Sequence, residues 1–121
     1  MRFYQLFLIV AMLFGCQTVP DVECKTVIDG LIKDHRDAGR QLVQTGADRG
    51  GVEGFIFANL ESGEQYVEMF VPPVEQLPAS YPKQFEPFGF VQKGQCYVKS
   101  KAEAGEEVST TYTYYTKQIK P

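Results

Sequence analysis

Cys24, Val27, Ile28, Leu31, His35, Ala38 and Leu42 recur at three- and four-residue steps, and this spacing constrains the fold more than any other feature of the chain. On an α-helix these residues form one stripe, while Lys25, Asp29, Lys33, Arg36, Asp37, Arg40 and Gln44 fall on the other side. Asp21, just after Pro20, is a good N-cap. The spacing therefore predicts a helix over 22–44, closed by Gly46, with 48–51 as a loop. An apolar stripe must be covered by a second layer, and the residues after 51 have to supply it.

Those residues change period. Val52–Leu60 and Gln65–Val71 are β-prone runs around Glu61-Ser62-Gly63-Glu64, which reads as a hairpin. Pro72-Pro73 stops the second strand, because proline cannot donate to a ladder. Residues 72–85 contain Pro72, Pro73, Pro78 and Pro82 and read as an irregular crossing. Phe88–Gln92, a Lys93-Gly94 turn and Gln95–Ser100 suggest a second hairpin, followed by a turn and a Thr- and Tyr-rich strand over Val108–Ile119. The expected class is α+β: one N-terminal amphipathic helix on an antiparallel sheet of about five strands, in a single small domain over 21–121.

Ahead of this domain, Arg2 gives a positive start, residues 3–14 are almost unbroken apolar chain, and small Gly15 precedes Cys16. That is the layout of an export signal over 1–15. Interrupted by Gln5, the run falls short of the roughly 18 residues of a spanning helix. Leu13-Phe14-Gly15-Cys16 resembles the lipobox of bacterial lipoproteins. The resemblance implies that Cys16 becomes the acylated first residue of the mature chain, held by more than one acyl chain and hence stably. Gln17 stands where an aspartate would resemble an inner-membrane retention signal, so the expected location is the cell envelope, at the outer membrane facing the periplasm. The tether over 16–20 reaches at most about 15 Å, at roughly 3.5 Å per residue.

With Cys16 assigned to lipid, Cys24 and Cys96 remain, an even pair in an oxidising compartment, and a disulfide between them is expected. Phase agrees: a Lys93-Gly94 turn would pair Val91 with Cys96 and put Cys96 on a face with Val98, while Cys24 sits mid-stripe on the helix.

The net charge is −3, or −4 once the +1 of Arg2 is removed, and there is no basic cluster. The chain therefore lacks the electrostatic footprint of a nucleic-acid binder. Its single histidine, His35, lies on the apolar stripe and reads as a hydrogen-bonded core residue. The sequence has no Cys-x-x-Cys, no second histidine for a metal site and no phosphate-cradling glycine loop, so no cofactor and no catalysis are expected.

Candidate binding residues are Tyr81, Phe85 and Phe88 on the proline-rich segment, and Tyr112 and Tyr114 on the last strand. The first group would form a pre-stiffened contact surface; the second could stack on sugars or accept a partner's strand if exposed at an edge. Ser62-Gly63-Glu64-Gln65-Tyr66 and Lys93-Gly94 resemble fragments of the loop motifs of membrane-bound inhibitors of c-type lysozyme. That resemblance implies an all-β barrel that inserts a loop into the lysozyme cleft, with Ser62 and Lys93 at the contact. The leading expectation is an anchored, non-catalytic accessory or assembly factor that binds another envelope protein. A lysozyme-type inhibitor and a glycan or peptidoglycan binding module are the alternatives.

Overall fold

A computed structural model describes residues 20–120. The expected signal over 1–15, the expected lipidation at Cys16 and most of the expected tether over 16–20 lie outside the described residues. The elements are helix α1 (Cys24–Asp37) and strands β1 (Gln41–Ala47), β2 (Glu53–Ala58), β3 (Gln65–Val71), β4 (Val91–Lys101) and β5 (Glu107–Ile119). The strands form one open antiparallel sheet in the order β1-β2-β3-β5-β4, with α1 laid over one face. The α+β architecture is as the sequence implies.

Three boundaries differ from expectation. The helix ends at Asp37, not near residue 44. Gly39, at φ +85°, takes the left-handed conformation; its N–H donates to Arg36 O, and Arg40 N–H donates to His35 O. These two bonds are a Schellman stop, which satisfies the helix's last carbonyls and turns the chain. Residues 41–47 then form the edge strand β1, so Leu42 belongs to the sheet. At the other end, Glu23 and not Asp21 precedes the helix, because Val22 O first accepts from Tyr97 N of β4.

The third difference is at Lys93-Gly94, which is no turn. β4 runs straight through it, with a bulge where the register steps from Gln92↔Tyr115 to Gly94↔Tyr114. Val91 therefore pairs with Thr116, and Cys96 with Tyr112. Gly94 is needed there for space: a Cβ would sit 3.0 Å from Tyr114 Oη.

Each sheet face has its own core. On the helix side, Phe70 packs with the Cys24–Cys96 disulfide, joined by Val27, Ile28, Leu31, Phe55 and Tyr114. The cysteine Cα atoms are 4.9 Å apart and the bridge closes a separation of 72 residues. In the chain-entropy view such a closure stabilises by about 4 kcal/mol. On the other face, the segment between β3 and β4 folds back through short 3₁₀ turns and buries Leu77 and Phe85 against Val52 and Val71. Strand alternation divides β3 between the two cores, with Tyr66, Glu68 and Phe70 under the helix and Met69 and Val71 opposite.

Candidate functional site

The predicted residues separate onto the two faces. Phe85 is buried on the face away from α1, its ring tilted against that of Tyr115 with centroids 5.2 Å apart. Phe88 stands exposed on its 3₁₀ turn. Tyr81 packs over Gly50, where a Cβ would come within 2.9 Å of its ring, and its hydroxyl donates to Asp48 Oδ2. Burial pushes the Tyr81 phenol up to about 12, reinforced by the bond to Asp48 and its charge. Desolvation pushes the Asp48 carboxyl upward, but hydrogen bonds from Tyr81 and from the N–H groups of Val52 and Gly50 outweigh it and hold the carboxyl below its ordinary value. This small network pins the crossing segment to the β1–β2 turn.

Tyr112 and Tyr114 lie on the helix side, partly covered by the disulfide core, and Tyr114 stacks on Phe70 at 5.4 Å. Edge pairing would need them at an open edge, but β5 is an inner strand: Tyr114 pairs with Phe70 of β3 and Gly94 of β4, while Tyr112 pairs with Cys96 of β4, just beyond the end of the β3 ladder at Thr113. Ser62 sits in the β2–β3 turn, its Oγ accepting from Glu64 N at 3.2 Å. Lys93 is the unpaired residue of the β4 bulge. The sheet is open and carries a helix, which departs from the barrel implied by the lysozyme-inhibitor resemblance.

Sequence reading missed a buried polar cluster around His35. Its Nε2 lies 2.7 Å from Glu68 Oε2, and both residues are buried, at 5% and 4% exposure. Arg40 Nε donates to His35 Nδ1 at 2.9 Å, and the guanidinium lies 4.2 Å over the Tyr66 ring, with Glu64 at 3.6 Å. One tautomer satisfies both bonds: a neutral imidazole that donates through Nε2 and accepts at Nδ1. The ring also stacks on Phe57 at 4.1 Å. Both nitrogens are therefore engaged, and neither is free to take a proton from a substrate. The sequence signal for this cluster is parity, because Glu68 shares its strand face with Tyr66 and Phe70, and an inward carboxylate needs a partner.

Because α1 starts over β4 and ends beside β1, it crosses the sheet diagonally and leaves a hollow on each side. One, of about 310 Å³, lies between the second half of α1 and the sheet; Lys93, Tyr66, Tyr114 and Thr116 line it, and Glu68 contributes to its floor. The other, of about 300 Å³, adjoins the start of α1. On the opposite face, a groove of about 280 Å³ runs between β1 and Tyr81 over Gly54, Ile56, Val67 and Met69. Among the described residues there is no group of three or more His, Cys, Asp or Glu placed to hold a metal, and no helix long and apolar enough to cross a membrane. Family models, curated proteins and solved structures give no match to the chain.

Proposed function

We propose that the protein is a non-catalytic, lipid-anchored envelope protein that docks an extended segment of another envelope protein along β1. The observation that carries this reading is the contrast between the two sheet edges. β4 has Lys93, Lys99 and Lys101 and is partly covered by Val22 and Glu23, the devices that blunt an edge. β1 (Gln41–Ala47) has no charge and no proline, and beyond a bulge at Val43 its residues Gln44–Ala47 border the apolar groove. A partner strand added there gains main-chain hydrogen bonds and a groove for alternate side chains.

The anchor fits this arrangement. The chain enters the fold beside β4, four strand spacings from β1, or about 19 Å at ~4.8 Å per strand. A lipid on Cys16 would hold the β4 side toward the membrane and leave β1 turned away from it. Affinity capture from detergent-solubilised membranes tests the docking: an envelope protein enriched by the native chain should be lost with Thr45→Lys and kept with Phe88→Ala. Enrichment indifferent to Thr45→Lys, or no enrichment, would sink the reading. Mass spectrometry of the mature N-terminus tests the anchor, which requires an acylated Cys16.

A further inference from the structure

The β4 bulge leaves Lys93 without a partner in β5. A bulge bends its strand and re-aims side chains, and such features concentrate beside functional sites. Here Lys93 lines the hollow between α1 and the sheet, together with Asp34, Tyr66, Tyr114 and Thr116. The buried groups in and around it are committed to one another: Glu68 to His35, His35 to Arg40, and Arg40 to the Tyr66 ring and Glu64. The outer groups are not. The Lys93 ammonium, the Asp34 carboxylate and the hydroxyls of Tyr66, Tyr114 and Thr116 have no hydrogen-bond or ion-pair partner among the described residues. A concave site with a few converging, unengaged polar groups on a rigid floor is the usual form of a small-molecule site.

We infer that this hollow binds a carboxylate-bearing sugar, with the carboxylate on Lys93 and the ring hydroxyls on Asp34, Thr116 and the two tyrosines. The charges select the class. One free ammonium balances one carboxylate, whereas a dianionic phosphate would also face Asp34 and Glu68. The three hydroxyls and Asp34 offer both donors and acceptors, which suits a polyhydroxylated ring better than an apolar acid. The tyrosine rings supply apolar wall for its C–H faces. At about 310 Å³ the space is small, about ten water volumes, enough for one substituted ring. This site lies on the face opposite the β1 groove and depends neither on docking nor on the anchor.

N-acetylmuramic acid and its neutral methyl ester are suitable probes, because they share the lactyl group and differ only in whether its carboxylate is free. Titrated by NMR into the full-length protein in detergent micelles, the acid should bind with millimolar affinity and shift the amides of Lys93, Thr116 and Tyr66. It should bind about tenfold more tightly than the neutral ester, as expected for one charge-assisted hydrogen bond. Lys93→Gln should erase that ratio and Lys93→Arg should keep it; Lys93 is exposed, so both variants fold. The inference is overturned by equal binding of the two sugars, by a ratio that survives Lys93→Gln, by shifts confined to another surface, or by no shift at millimolar ligand.

Discussion

His35 Nε2 donates to Glu68 Oε2 at 2.7 Å across a chain separation of 33, and the bond ties the last full turn of α1 to the middle of β3. Breaking such a buried pair differs from replacing it. Glu68→Ala strands the imidazole N–H in a buried site, at a cost of about 3 kcal/mol. Glu68→Gln keeps an acceptor and should cost roughly 1–2 kcal/mol. The double variant His35→Phe/Glu68→Leu, which removes both polar partners, should be less destabilised than Glu68→Ala. Urea unfolding of the three proteins decides the matter; a double variant weaker than the single one would show that the polar pair itself is net stabilising.

The Cys24–Cys96 bridge should supply a large share of the stability of so small a domain. Cys24→Ala/Cys96→Ala is expected to lose about 4 kcal/mol. Thermal unfolding with and without a reductant gives the same comparison on the native chain, and an unchanged midpoint would show that the bridge contributes nothing.

Spectrophotometric titration should reveal Tyr81 ionising late, alongside Tyr115, which burial and then the Glu86 charge also push above the ordinary value. With its phenol raised to about 12, Tyr81 contributes stability that is present below its unfolded value of 10.0 and lost as pH rises from 10 toward 12. Asp48 has the opposite sign: its lowered carboxyl contributes above the unfolded value of 3.8 and loses that contribution as pH falls further. Tyr81→Phe should remove the Tyr81 transition, and Asp48→Asn should bring it toward 10. A titration of the native chain in which every tyrosine ionises together near pH 10 would refute the coupling.

Gly94→Ala places a methyl group 3.0 Å from Tyr114 Oη and 3.2 Å from Cζ of the same ring. Overpacking of this kind costs about 1–3 kcal/mol. Removing the hydroxyl should relieve part of it, so Gly94→Ala in a Tyr114→Phe background should cost less than in the native one. Strict additivity in that cycle would mean that the bulge, and not the tyrosine, demands the glycine.

These details show which features the chain announced and which it concealed. Helix stripe and first hairpin follow from period and parity, because each is fixed by burial on one face; the Cys24–Cys96 pairing followed from cysteine count and compartment, since the turn behind its phase argument is not formed. The end of α1 was obscured by Leu42, which falls seven residues after His35 and so keeps helical phase although Gly39 has already stopped the helix. β1 was missed for the same reason: a short, fully exposed edge strand has no buried face to impose alternation. Lys93-Gly94 serves hairpins and bulges equally, and only the packing of Tyr114 distinguishes them. The His35 cluster required knowing that helix and β3 meet, although the parity of Glu68 was visible.

The position of the disulfide has a mechanical consequence. Cys24 is the first residue of α1 and Cys96 lies within β4. A pull between residue 20 and Ile119 therefore enters the helix start, crosses the covalent bridge into β4 and leaves through β5. The covalent path skips residues 25–95, so the load reaches β3 only through its ladder with the end of β5, from Gln65↔Ile119 to Val71↔Thr113, and does not run through α1, β1 or β2. Tension applied this way would be borne by a covalent link and by the ladders that hold β5 to β4 and β3, while β1, the proposed docking edge, stays outside the force path.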